Sequence, residues 1–221
     1  MHSIAANISI LRRVVPENVT IVAVSKTKPP GMIMEAYASG QRDFGENRVQ
    51  ELLAKKDILP ADIRWHLIGH LQTNKVKYIA SFIAMIESVD SFKLLSTIDR
   101  EALKAGRKID CLLQIHIATE ETKFGFSIEE IKEMLNDKAF HDLNNVVVRG
   151  VMGMATFTDN FDIVRREFRQ LRLYFEELRQ AYFLNNPYFR EISMGMSGDY
   201  MTALEEGSTI IRVGSLIFGE R

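Results

Sequence analysis

Eight short runs of apolar, mostly β-branched residues recur along the chain, and each is followed by a stretch with helical spacing. The runs fall at residues 20–26, 42–46, 63–70, 84–89, 109–117, 146–154, 190–196 and 209–218. Strands that are apolar on both faces need helices outside and closure inside. Eight such parallel strands predict an α/β fold of one kind, a single (β/α)8 TIM barrel. A doubly wound open sheet is the alternative, but it calls for a glycine-rich turn after the first strand. Here that turn reads Thr27-Lys-Pro-Pro30. No linker, low-complexity stretch or composition shift interrupts the 221 residues, so one domain over 1–221 is expected.

Punctuation along the chain supports the helices. Ile4, Ile8, Leu11 and Val15 mark a short opening helix. Pro30 starts the helix after the first strand, and Gly40 stops it. Further helices are expected over 47–57 and 72–82. Asp90 or Ser91 can cap the next, which stops at Gly106. Ser127-Ile-Glu-Glu130 has the spacing of a capping box. The longest helix, 159–182, places Phe161, Val164, Phe168, Leu171, Phe175, Leu178 and Tyr182 at steps of three and four. One buried stripe against the barrel is expected, with a coiled-coil contact as the alternative. A short helix should follow Gly198 and end at Gly207.

Composition bears mainly on what to exclude. A net charge of -1 favours neither nucleic acid nor an anionic membrane surface as partner. The lone Cys111 cannot form an internal disulfide and fits a reducing compartment. The opening Met1-His-Ser-Ile-Ala-Ala lacks the pattern of a signal peptide, and no apolar run has membrane-spanning length. A cytoplasmic location is expected. His2, His66, His70, His116 and His141 show no metal-ligand spacing, and no P-loop or nucleophile elbow is present.

Chemistry in such a barrel belongs at the strand C-termini. Lys26 sits where Val22-Ala-Val-Ser runs out against a Lys-Pro-Pro turn. A lysine short of water has a lowered pKa, and its neutral amine attacks carbonyls. Such an amine can form a Schiff base with pyridoxal 5'-phosphate (PLP); a strand-end lysine reaching solvent is the plainer reading. Ser197, in Ser193-Met-Gly-Met-Ser-Gly-Asp199, leads into a helix start, and Gly214-Ser215 falls in a bend on the last strand. The loops after strands seven and eight commonly hold phosphate in this barrel, although Ser197 could be a plain N-cap. Arg212 interrupts an apolar strand and needs an acceptor, either a pyridine nitrogen or a carboxylate such as Glu46. An arginine at a pyridine nitrogen keeps it unprotonated and weakens the ring as an electron sink. Asn47 could bond the cofactor's phenolic oxygen or cap a helix, and His70 reads as a loop organiser rather than a proton shuttle. Lys28 and Lys123 could capture aldehydes too, but each reads better as a solvated lysine.

Six ordered motifs carry a resemblance. They are Ala23-Val-Ser-Lys-Thr-Lys-Pro29, Phe44-Gly-Glu-Asn-Arg-Val-Gln-Glu51, Trp65-His-Leu-Ile-Gly-His-Leu-Gln-Thr-Asn-Lys75, Gly150-Val-Met-Gly-Met154, Ser193-Met-Gly-Met-Ser-Gly-Asp199 and Ile211-Arg-Val-Gly-Ser-Leu-Ile-Phe-Gly219. Together they closely resemble the pyridoxal phosphate homeostasis protein family, whose fold is similar to the barrel domain of alanine racemase. The resemblance implies that Lys26 is the cofactor lysine and that Arg212 faces the pyridine nitrogen. It implies that Ser197, Gly214 and Ser215 cradle the phosphate, and that Asn47 and Met196 line the pocket. Two departures stand out: a short segment before the first strand, and His116 where the family more often has asparagine.

The family implies a carrier that stores and delivers PLP and influences amino-acid and keto-acid pools. PLP-dependent apo-enzymes are then the candidate recipients, and a monomer or weak dimer is expected. An amino-acid racemase of weak activity is the alternative. It would need a base on each face of the cofactor. In the racemases that resemble this barrel a second, β-rich domain donates a tyrosine as that base, and none is expected after Arg221. A Schiff-base aldolase is a third reading.

Overall fold

The computed structural model describes residues 3–119 and 124–220, so Lys123 lies outside the described residues. Eight parallel strands close in sequence order into a barrel. They are β1 (Thr20–Val24), β2 (Asp43–Glu46), β3 (Arg64–Leu67), β4 (Met85–Val89), β5 (Ile109–Gln114), β6 (Val146–Met152), β7 (Glu191–Met196) and β8 (Ile210–Val213). β8 pairs back onto β1, Arg212 opposite Val22. The expected (β/α)8 architecture is the observed one.

The helices are α1 (Ile4–Val14), α2 (Pro30–Ala38), α3 (Val49–Lys56), α4 (Val76–Ile79), α5 (Phe92–Lys104), α6 (Ile128–Asn136), α7 (Lys138–His141), α8 (Phe161–Tyr182), α9 (Tyr200–Glu205) and α10 (Ser215–Phe218). Local chemistry starts several of them. Ser91 accepts from the Leu94 amide, and Ser127 with Glu130 forms the complete capping box. The stripe on α8 is buried from Val164 through Phe168, Leu171 and Phe175 to Leu178. Phe161, expected in that stripe, is exposed instead, because it is the first residue of the helix and lies at the barrel mouth. No helix among the described residues is long and apolar enough to cross a membrane.

Three expectations need correction. β1, β3, β5, β6 and β8 stop at Val24, Leu67, Gln114, Met152 and Val213, earlier than predicted. Residues 215–218 are therefore a helical turn, because Gly214 breaks the ladder and becomes its N-cap. The 72–82 helix is a 3₁₀ turn (Thr73–Lys75) followed by the single α-turn of α4. The strands are also not apolar on both faces. Side chains alternate across a strand, and one set packs under the helices in the main core, including Phe44, Trp65, Leu67 and Ile86. The other set fills the barrel interior, where Val22, Met85, Leu112, Met152 and Ile210 form a small separate cluster. Beside it are buried polar residues: Asp43, His66, Glu87, Ser193 and Arg212.

Candidate functional site

A cavity of about 470 Å³ opens at the C-terminal ends of the strands. All seven residues singled out above lie on its wall: Lys26, Asn47, Met196, Ser197, Arg212, Gly214 and Ser215. They come from the ends of β1, β2, β7 and β8, and barrel closure brings β8 beside β1.

Lys26 is half-buried between two pinned neighbours. Ser25 is fully buried, and its hydroxyl donates to Glu46 Oε1 at 2.6 Å. Lys55, on α3, donates to the Ser25 carbonyl at 2.9 Å, to Glu46 Oε1 at 2.8 Å and to Glu51 Oε1 at 2.6 Å. On the other side the Thr27 amide donates to Glu51 Oε1 at 2.5 Å, with Thr27 at φ 65. A β-branched residue in the left-handed region is strained, and such strain persists only where its surroundings hold it. Burial pushes the Glu46 carboxyl up, and Lys55 and Ser25 do not fully offset this. Burial also works on Glu51, but Lys55 and the Thr27 amide outweigh it and hold that carboxyl below its usual range.

Arg212 is 4% exposed. Its carboxylate neighbour is Glu87, at 3.8 Å, and not Glu46, which lies on the helix-facing side of β2 and is taken by Lys55. The guanidinium donates to Ser193 Oγ at 2.5 Å and to the Gly153 carbonyl at 2.9 Å. Ser193 in turn donates to Glu87 Oε2 at 2.5 Å, and Glu87 Oε1 meets His66 Nδ1 at 2.7 Å. His66 Nε2 lies 3.2 Å from Asp43 Oδ1, which takes Arg64 Nε at 2.7 Å. Burial works against a charged His66 ring, but Asp43 and Glu87 outweigh it and raise its pKa to about 9. Burial likewise opposes ionised Asp43, yet His66 and Arg64 lower its pKa to about 2. Burial lowers the Arg212 pKa, with Glu87 acting the other way.

The opposite wall comes from the loops after β7 and β8. Ser197 is no N-cap: α9 is preceded by Asp199, and the Ser197 hydroxyl accepts from the Gly214 amide at 3.1 Å, tying the two loops together. The first amides of a helical turn lack intrahelical acceptors, so the start of α10 leaves donors at the cavity. Gly195, at φ 95, lets β7 bend tightly over α9, where a Cβ would stand 2.6 Å from Ala203 Cβ. Lys28 is partly exposed on the cavity wall and donates to the Gly219 and Glu220 carbonyls at 3.1 and 3.2 Å, fastening the chain beyond α10.

Asn47 is not a cap either, since α3 is preceded by Arg48. Gly69 allows the β3 loop to pass against it, where a Cβ would meet the Asn47 carbonyl oxygen at 2.5 Å. His70 Nδ1 lies 2.7 Å from Asp90 Oδ2, and its ring stacks on Phe124 at 4.1 Å. It thus joins three strand-end loops away from the cavity wall. His116 is also off that wall, and its amide donates to the Phe126 carbonyl at 2.9 Å.

Sequence reasoning missed Glu87, His66 and Asp43 as partners of the site. The available signal was a charge within each of three buried strands, because buried charges require partners. It also missed Asp199, which lines the cavity and accepts from the Met196 amide at 2.5 Å.

Comparison with known proteins bears on the family and the fold. The family described as alanine racemase, N-terminal domain, matches residues 1–221. A pyridoxal phosphate homeostasis protein of Aquifex aeolicus is 42% identical over 202 residues, 91% of this chain and 86% of that protein. The structure of PipY of Synechococcus elongatus PCC7942 with PLP bound is similar at a TM-score of 0.88 and 39% identity, covering 98% of this chain and all of that one. An alanine racemase of Clostridium difficile is similar in fold, at a TM-score of 0.79 and 14% identity, over 60% of its own chain.

Proposed function

This chain belongs to the alanine racemase N-terminal domain family and, within it, to the pyridoxal phosphate homeostasis proteins, and on that premise we propose that it binds PLP through Lys26 and serves intracellular PLP homeostasis. One observation carries the reading. Seven residues from four separate segments converge on a single cavity, in a fold shared with a 39% identical protein solved with PLP bound.

The residues present fit that group. Lys26 offers an amine at the mouth, held between the pinned Ser25 and Thr27. Ser197 and Ser215 offer hydroxyl donors to a phosphate, with Gly214 letting the chain pass close, since a side chain at position 214 would press on the Val24 carbonyl oxygen at 3.2 Å. Arg212 offers N–H donors to a ring nitrogen and, being cationic, keeps a proton off it. Asn47 and Met196 line the same wall and would contact the ring. When bound, PLP supplies an aldehyde for the lysine and a ring that absorbs visible light.

Holding rather than turnover is supported by a wall that carries no histidine, cysteine or tyrosine among its described residues. Racemisation needs proton-moving groups on both faces of the ring. Among the described residues of the wall the titratable side chains are Lys26, Lys28, Asp159, Asp199, Arg212 and Glu220. Lys28 is committed to the 219 and 220 carbonyls, and Asp199 to the Met196 amide. The chain acts as one barrel domain in the cytoplasm and passes its cofactor to PLP-dependent apo-enzymes.

The test is to load the purified protein with PLP, record the visible band, and assay racemisation of a panel of amino acids. The account expects a band, transfer of PLP to an added apo-enzyme, and turnover far below about 1 per second. Racemisation at or above that rate would overturn the carrier reading. No band would overturn PLP binding.

A further inference from the structure

The polar chain inside the barrel begins at a cavity-wall residue and has a fixed direction. Arginine has only donors. Ser193 Oγ must therefore accept from Arg212, at 2.5 Å, which leaves its own proton for Glu87 Oε2, also at 2.5 Å. The second Glu87 oxygen is occupied by His66 Nδ1 at 2.7 Å. Glu87 and Ser193 are both fully buried, so no water competes for these groups. The Arg212 guanidinium is planar, and two of its nitrogens are fixed, one by the Gly153 carbonyl at 2.9 Å and one by this chain.

We propose that Ser193 and Glu87 are positioning residues for Arg212, setting the plane of its guanidinium and balancing its charge where it meets the ring nitrogen of the bound cofactor. Without Ser193 one anchor is lost, and the guanidinium can turn about the Gly153 contact. Without the Glu87 charge, Lys26 and Arg212 stand at one cavity with less negative charge behind them, and an arginine short of its counter-ion is less well held. His66 acts one step further back by holding Glu87. The inference rests on the PLP reading above, and the experiment separates the two.

The experiment is a double-mutant cycle on the full chain. PLP is titrated into wild type, Glu87→Gln, Arg212→Gln and the double variant, reading the visible band and the dissociation constant. Loss of a charge-assisted hydrogen bond predicts about tenfold weaker binding for Glu87→Gln. Its band should move in the same direction as that of Arg212→Gln. Because Glu87 acts through Arg212, the double variant should bind within about twofold of Arg212→Gln. Wild-type affinity in Glu87→Gln, or losses that multiply, would overturn the proposal. If circular dichroism shows Glu87→Gln unfolded, the same cycle is run with Ser193→Ala, which removes one hydroxyl. A crystal structure of Ser193→Ala without cofactor decides independently of PLP: a turned guanidinium supports the proposal, and an unmoved one contradicts it. Wild type that takes up no PLP would refute the functional reading and leave the crystallographic arm to judge this one.

Discussion

Two buried charged clusters flank the same cavity, and they are built differently. One lies between the sheet and α3, where Lys55 gathers Glu46, Glu51 and the Ser25 carbonyl. It is local, with Lys55 and Glu46 nine residues apart, and its hydrogen bonds end on the backbone either side of Lys26. The other runs through the barrel interior, where Ser193 and Glu87 are 106 residues apart, and it ends on the Arg212 guanidinium. The first cluster fixes where an amine starts. The second fixes where a charge points. Damage to the first should therefore register mainly as lost stability, and damage to the second mainly as altered cofactor binding.

The largest effect belongs to the residue that the first cluster serves. Lys26→Ala should abolish the visible band formed with PLP, measured by absorbance, while the melting temperature stays close to that of wild type. Next comes the first cluster itself. Lys55→Ala leaves Glu46 buried without its cation, and breaking such a pair costs about 3 kcal/mol. For a chain of this size that lowers the melting temperature by about 6–12 °C, read by thermal unfolding. Arg212→Gln should have the reverse profile: PLP binding about 10- to 100-fold weaker by titration, a shifted band, and a smaller loss of melting temperature. If Lys55→Ala costs more affinity than Arg212→Gln, or Arg212→Gln more stability than Lys55→Ala, the division between the clusters fails.

The interior chain also makes a pH prediction. His66 titrates near 9 in the folded protein against 6.5 for a free ring. Its contribution is then fully present below pH 6.5 and lost as pH rises through about 9. Asp43, lowered from 3.8 to about 2, contributes above 3.8 and loses that contribution as pH falls through 2. Urea unfolding of wild type and His66→Gln should show a stability gap that narrows between pH 6 and about 9.5. A gap that widens over that window would place the positive charge elsewhere. The smallest effect is expected at Ser197. Ser197→Ala removes one neutral hydroxyl donor from the phosphate, a loss of about 1 kcal/mol, and PLP should bind about fivefold more weakly.

The barrel was legible because strand and helix periods alternate eight times and because caps such as Ser91 and Ser127 carry local signals. The cavity wall was legible because strand ends carry chemistry in this fold, and Lys26, Asn47 and Arg212 occupy such ends. Strand ends themselves were read too long. Apolar Leu216, Ile217 and Phe218 look like strand, but the break at Gly214 turns them into α10. Partners were the least legible. Arg212 pairs with Ser193 and Glu87 through barrel closure, which no local spacing encodes, so Glu46 looked equally suitable. The Lys55 cluster was hidden for a different reason. An i,i+4 Glu51–Lys55 pair reads as an ordinary exposed helix pair until α3 is laid against the end of β2.

The most direct test of the account is to map the cofactor's point of attachment. PLP-loaded protein is reduced with borohydride, digested, and analysed by mass spectrometry. The account predicts the pyridoxyl label on Lys26, with Lys28 and Lys55 unmodified. Label on either of those lysines, or on none, would contradict it.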